Sequence, residues 1–181
     1  KSKIGKLRLD EKALKDNLGE GNTIFVGSST DMWAKEIPVD WIGKVLLTCC
    51  AYPDNTYLFQ TKNPRRFMDW EFPKNVILAT TIETNRDFRI NKAPPTDERM
   101  RIMKELKVFS PLMISIEPIM RFDMDMFVSW IKDIKPKFVS IGADSKNSDL
   151  PEPNKREIDF LIKELKKFTE VKVKDNLRRI T

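Results

Sequence analysis

The sequence predicts an α/β fold of mostly parallel strands, covered by helices and curled into a barrel or partial barrel. Three observations carry that expectation. Strand-like and helix-like segments alternate along the chain. Most of the strand-like segments are continuous apolar runs rather than alternating ones, as in a parallel sheet buried under helices. Each of them ends in a polar cluster, and the C-terminal ends of strands are where α/β sheets and barrels bind ligands.

A short first helix is expected over residues 12–18, capped by Asp10, with Leu14 and Leu18 on one face and Gly19 or Gly21 at its end. The first strand, Thr23–Val26, closes in Gly27-Ser28-Ser29-Thr30-Asp31. Trp41, Ile42, Val45, Leu46 and Cys49 are spaced as one apolar helical stripe. A second strand, Thr56–Thr61, leads to Lys62-Asn63-Pro64-Arg65-Arg66, where Asn63 reads as an N-cap and Pro64 as a first helical residue. The third strand, residues 76–82, ends in Glu83-Thr84-Asn85-Arg86. Beyond Pro94-Pro95, Thr96 is expected to cap a helix carrying Met100, Met103 and Leu106.

The fourth strand, Leu112–Ile116, ends in Glu117-Pro118, and the next helix is expected to bury Phe127, Trp130, Ile131 and Ile134. The fifth, Phe138–Ile141, ends in Gly142-Ala143-Asp144-Ser145. Asn154 and Glu157 have the spacing of a capping box ahead of the stripe Ile158, Leu161, Ile162, Leu165 and Phe168. A last strand, residues 171–173, runs into Lys174-Asp175-Asn176-Leu177. There is no fixed-period repeat, no G-x-G-x-x-G and no P-loop, so a nucleotide-binding doubly wound sheet has little support.

With 181 residues, 40% hydrophobic and 33% charged, the chain has the composition of an ordinary globular protein, and one domain over residues 1–181 is expected. No apolar stretch approaches the roughly 20 residues that cross a bilayer. The segment Lys1-Ser2-Lys3-Ile4-Gly5 lacks the apolar core of a secretory signal, so a cytoplasmic location without a membrane partner is expected. The sequence contains no histidine, which excludes Ser-His-Asp hydrolysis, Cys-His nucleophilic pairs and His-bound zinc within the chain. Cys49 and Cys50 are adjacent, a spacing that fits disulfide geometry badly and that cannot alone build a four-ligand zinc site. Reduced thiols on a helix, one of them buried, are expected.

The net charge of +6 gathers partly in Lys163, Lys166, Lys167, Lys172, Lys174, Arg178 and Arg179. A solvated helix face accounts for such a run; a surface for nucleic acid or nucleotide phosphates is the functional alternative, with only Phe168 interleaved.

The strand ends supply the candidate site: Ser28, Ser29, Thr30, Asp31, Gln60, Lys62, Thr81, Glu83, Ser115, Glu117, Asp144 and Lys174. Loops after strands are polar in any protein, which accounts for about half of the set. It accounts less well for Thr81 with Glu83 and Ser115 with Glu117. There a hydroxyl and a carboxylate stand two residues apart, on one side of a strand, at the end of an apolar run. A charge so placed needs a partner, and Lys62 and Lys174 are the candidates. A structural ion-pair network is the rival explanation.

A family resemblance runs over about residues 9–180, on six segments in order. They are residues 22–33, Phe59-Gln60-Thr61-Lys62-Asn63-Pro64-Arg65-Arg66, Thr81-Ile82-Glu83-Thr84, Ser115-Ile116-Glu117-Pro118, residues 139–145 and Lys174-Asp175-Asn176-Leu177. Together they resemble a phage- and prophage-associated family related to radical S-adenosylmethionine (SAM) enzymes. The resemblance implies a partial TIM-type barrel and a [4Fe-4S] cluster on three thiolates of a C-x3-C-x2-C loop after the first strand. It implies SAM on the open iron, cleaved reductively to a deoxyadenosyl radical. By barrel position it places the SAM amino group near Ser28 to Asp31, and the ribose, carboxylate and adenine near Gln60, Lys62, Thr81, Glu83, Ser115 and Glu117. The chain departs from the family in one respect: it holds no C-x3-C-x2-C, so the first strand and cluster loop are expected upstream of Lys1. Two functions follow as expectations: a radical SAM enzyme of unknown substrate whose cluster comes from an upstream segment, or a degenerate barrel serving as a binding or nucleic-acid-associated module.

Overall fold

The computed structural model describes residues 7–88, 90–146 and 148–181; the Lys1-Ser2-Lys3-Ile4-Gly5 segment read for a secretory signal lies outside the described residues. Strands and helices alternate as β1 (Thr23–Val26), α1 (Val39–Cys50), β2 (Thr56–Thr61), β3 (Val76–Thr81), α2 (Thr96–Leu106), β4 (Leu112–Ile116), α3 (Met124–Ile134), β5 (Phe138–Ile141), α4 (Lys155–Leu165) and β6 (Glu170–Val173). The six strands pair in the order β1-β2-β3-β4-β5-β6, and every neighbouring pair is parallel. This is a curled half-barrel, the α/β partial barrel that the sequence predicts. A doubly wound sheet would reverse its strand order at a switch point, and here the order never reverses.

That order decides where the core lies. A parallel crossover is right-handed in nearly every known case, so strands added always on the same side carry all their helices on one face. The packing follows. One large apolar cluster joins alternate strand residues, among them Phe59, Leu78, Ile114 and Ile141, to Ile42 of α1, Met103 of α2, Phe127 and Ile131 of α3, and Leu161 of α4. The other strand residues form a small separate cluster, Ile77, Ala79 and Met113 with Leu58 and Phe138, which contains no helix residue. It floors the concave face of the half-barrel, which no helix covers.

Most of the local signals hold in the structure. Asn154 and Glu157 form the expected capping box. Asp10 accepts from the N–H groups of Lys12 and Ala13, but only one 3-10 turn, Ala13–Lys15, follows it. Three readings need correction. Thr96 is the first residue of α2 and not its cap, which is Pro95. Asn63 stands at the N-cap position with Pro64 first in the helix, as expected, but its side chain makes no capping bond. Its amide donates instead to the Trp33 carbonyl at 3.2 Å, and Pro64–Asp69 is a 3-10 helix. Trp130 is only half-buried.

Sequence reasoning also passes over Trp33, which is fully buried and contacts Phe59, Phe67 and Trp70 edge-on, with ring centroids 5.6, 4.8 and 6.4 Å away. Aromatic pairs in this geometry add to the stabilisation from area burial alone. The cluster ties the loop after β1 to the segment between β2 and β3, and so holds two strand ends in register. Among the described residues no helix is long and apolar enough to cross a membrane.

Truncating Phe67 to alanine at the centre of this cluster removes most of a fully buried ring and is expected to cost about 3–5 kcal/mol of unfolding free energy. Leu47→Ala, at a position 71% exposed on α1, is expected to cost no more than about 0.5 kcal/mol. Urea denaturation of the two variants measures both.

Candidate functional site at the strand ends

Side chains alternate along a strand, so the concave face carries every second residue. Register aligns them in rows. Thr81 pairs with Ser115, Ser115 with Ser140, and Ser140 with Lys172. One step toward the C-terminal rim stand Glu83, Glu117, Gly142 and Lys174. The concave face is therefore apolar at its floor, hydroxyl-lined above that, and ionic at the rim.

Two ionic groups occupy the rim. Glu83, 1% exposed, is held by two cations: Lys62 Nζ at 2.5 Å on one carboxylate oxygen and Arg99 at 3.0 Å on the other. Arg99 comes from α2, is itself buried, and also donates to the carbonyls of Thr81 and Pro94. Glu117 pairs with Lys174 and accepts from the Asn176 amide at 2.9 Å. The same amide donates to the Ala143 carbonyl at 2.9 Å, which fixes its orientation and leaves Asn176 Oδ1 buried without a partner among the described residues. Gly142 makes room for this group. A Cβ there would lie 2.8 Å from both Asn176 Oδ1 and Glu117 Oε1.

The remaining sequence candidates divide by what they touch. Asp31 is committed to the backbone and a neighbouring strand. It accepts from the Trp33 N–H at 3.0 Å, the Thr61 hydroxyl at 2.9 Å and the Lys62 N–H at 3.0 Å, pinning the loop after β1 to the end of β2. Ser28, Ser29 and Thr30 form an exposed turn at the end of β1. Gly27 permits that turn with φ +71°, where a Cβ would lie 3.0 Å from the Thr30 carbonyl. Gln60 donates to the Thr81 hydroxyl at 3.1 Å, within the trough. Asp144 caps its own loop, accepting from the N–H groups of Lys146 and Ser148. These bonds, with Arg179 nearby, hold its carboxyl below the usual range. Lys62–Glu83 and Glu117–Lys174 meet as pairs; Ser28 to Thr30 and Asp144 lie apart from them in separate loops.

Sequence reasoning passes over four contributors. Arg99 stands at helical spacing from Met103 and Leu106, inside the apolar stripe of α2, and a charge on a buried stripe is the available signal. Ser140 interrupts the apolar run of β5. Asn176 and Gly142 carry no signal beyond their place in the resemblance, because their contacts span strands far apart in sequence. A cavity of about 510 Å³ adjoins the rim on its outer side, between the loop after β3, the start of α2 and Trp130; Glu83 is the one candidate among its lining residues.

The cysteines are at the other end of the fold. They close α1, which runs back from the strand ends toward the start of β2. Cys49 is buried beside the apolar groove along α1, and burial, with Cys50 next to it, pushes its thiol up to about 12. Among the described residues no three His, Cys, Asp or Glu side chains group as a metal site. The chain's own residues therefore do not fit an iron-sulfur cluster. SAM is a different matter. Carboxylates suit its amino group and ribose hydroxyls, and a lysine suits its carboxylate; the rim presents both.

Glu83→Gln removes the charge that two cations share and is expected to cost about 3 kcal/mol or more of stability, as breaking buried ion pairs does. Lys62→Met leaves Arg99 in place and is expected to cost about 1 kcal/mol or less, since Lys62 is partly exposed. Thermal and urea unfolding test the contrast. Iodoacetamide at pH 8 is expected to label Cys50 in the folded chain and Cys49 only once the chain unfolds, because the buried thiol stays protonated far above that pH. Mass spectrometry of the labelled peptides reads this.

No protein-family model matches the chain, and no curated protein sequence does. Among solved structures it is similar to a mutant spore photoproduct lyase with bound AdoMet and dinucleoside spore photoproduct. The TM-score is 0.53 at 12% identity, over 87% of this chain and 49% of that one. The chain thus spans about half the length of the structure it matches. At that identity the likeness is one of fold.

Proposed function

We propose that this chain is the SAM-binding half-barrel of a radical SAM-type enzyme, with the [4Fe-4S] cluster held by thiolates outside these residues. The observation that carries the proposal is the rim itself: two carboxylates, each with a lysine partner, at adjacent strand ends of a parallel half-barrel. The sequence motifs at those strand ends, and a fold neighbour that holds AdoMet, support the same reading. The phage association rests on the motifs alone.

The chain's residues have defined tasks in this reading. Glu117, fixed by Lys174 and Asn176, accepts hydrogen bonds from the ribose or amino group of SAM. Lys62, anchored on Glu83, offers an ammonium to the SAM carboxylate, while Arg99 holds Glu83 in place behind it. Asp31 positions Lys62 through its backbone N–H. Cleavage of SAM would be the chemistry of a cluster held outside these residues and reduced by an external electron donor, and no step of it would fall to this chain's own side chains. No side chain described here ligates iron, so the chain alone is not expected to be active.

One fact favours the second reading, a binding module without radical chemistry. The two thiols lie at the opposite end of the barrel from the rim. Iron and sulfide content of the full reading frame, reconstituted without oxygen, separates the two. About four irons per chain are expected for the enzyme; no iron removes that reading.

SAM binding tests the site apart from the cluster. Glu117→Ala is expected to weaken SAM binding by about tenfold or more, the scale of losing a charged hydrogen-bond partner, and Asp31→Ala is expected to weaken it by releasing the loop that positions Lys62. Lys163→Ala, on α4 away from the rim, is expected to leave it unchanged. Equal effects in calorimetric titration remove the assignment.

A further inference from the structure

The hydroxyl row below the rim has a property that the ionic groups lack. Ser115 is 3% exposed and Ser140 6%, and the two are register neighbours on the concave face. Neither hydroxyl makes a hydrogen bond among the described residues, and neither belongs to the unpaired atoms sealed from solvent. Each opens on the trough. A hydroxyl that faces the trough without a protein partner is free to bond water or a ligand.

The next position in the row is Lys172 on β6, in register with Ser140. Its ammonium lies 4.2 Å over the Phe138 ring, which places it on the same concave face. Its other partner, Glu170, stands 3.8 Å away and more than half exposed, a weak and screened pairing. Neighbouring strands are about 5 Å apart, so Ser115, Ser140 and Lys172 form a line of donors at that spacing.

The charge around the row points the same way. Glu117 is matched by Lys174, and Glu83 by Lys62 and Arg99 together, which leaves one cation in excess at that group. Lys172 adds another that is only loosely matched. A row with a loosely paired ammonium and free hydroxyl donors suits an oxyanion.

We infer that Ser140 and Lys172, with Ser115 beside them, form a phosphate subsite on the β5–β6 side of the trough, and that the substrate of this barrel carries a phosphate ester. The inference rests on the reading of the trough as the ligand site, and it places the substrate beside the rim rather than on it. The phosphate bridges the Ser140 hydroxyl and the Lys172 ammonium, and Ser115 donates from the next strand.

Calorimetric titration of the 181-residue chain with inorganic phosphate, with the dinucleotide thymidylyl-(3′→5′)-thymidine and, separately, with SAM tests this. Binding of either phosphate probe is expected, and the tighter of the two tells whether a free phosphate or a diester is the better match. Lys172→Gln is expected to weaken it about tenfold and to make it less sensitive to salt. Ser140→Ala is expected to weaken it about fivefold. SAM affinity is expected to stay unchanged in both variants, which alter one exposed and one small side chain, and circular dichroism verifies their folding. Wild-type binding of SAM with neither phosphate probe overturns the inference and leaves the SAM reading standing. Phosphate binding without SAM binding does the reverse. Unchanged phosphate affinity in both variants overturns it, as does a loss of SAM affinity in their place.

Discussion

Sequential strand order is the constraint on which the rest of this structure depends. Six parallel strands added always on the same side commit every covering helix to one face. The apolar content of the chain follows: Ile42, Phe67, Met103, Phe127, Ile131 and Leu161 all pack on that face. The opposite face is left to side chains of the strands alone. An uncovered sheet face in a chain of this size would normally be polar along its length or paired with another layer. Here it is curled inward instead, so that its residues are shielded by each other. That is why Thr81 and Ser115 can be nearly inaccessible without a helix above them.

Burial without a covering layer explains the graded chemistry of the trough. The floor residues Ile77, Ala79 and Met113 lose water and need nothing else. Glu83, equally buried, could not remain charged without compensation. It is held from two directions: by Arg99 across the helix layer and by Lys62 along the rim. The two cations are not equivalent. Arg99 is locked by two further carbonyls, while Lys62 is half-exposed and its ammonium has Glu83 as its partner. Lys62 is thus the member of the group free to meet a ligand, and Arg99 the member that keeps Glu83 in place if it does.

The strands are legible because a parallel sheet under helices writes itself as apolar runs. Thr23–Val26, Thr56–Thr61, Leu112–Ile116 and Phe138–Ile141 need no tertiary information. That Glu83 and Glu117 need partners, with Lys62 and Lys174 as the candidates, is legible too, from the cost of a carboxylate at the end of an apolar run; which lysine meets which carboxylate is set by the register of the strands. Local capping chemistry is a poor guide wherever a long-range contact outcompetes it. Asn63 turns its amide to the Trp33 carbonyl. Trp33 itself looks like a loop residue and is a fully buried anchor, because the rings around it come from Phe59, Phe67 and Trp70. Asn176 and Gly142 are illegible for the same reason, since their meaning depends on Glu117, which lies at the end of another strand.

A structural ion-pair network is the rival to a binding site at the strand ends, and the two make different demands on polar groups. A network that serves stability alone is worth building only when its members are satisfied, because one unpaired buried group costs more than a made bond returns. At the rim the demand is nearly met: Glu83, Arg99, Glu117 and Lys174 all have partners. One step below it is not, for Ser115 and Ser140 stand side by side with open hydroxyls while Thr81 in the same row accepts from Gln60. Serines that face the trough with hydroxyls free of protein partners among the described residues leave that surface able to donate or accept hydrogen bonds.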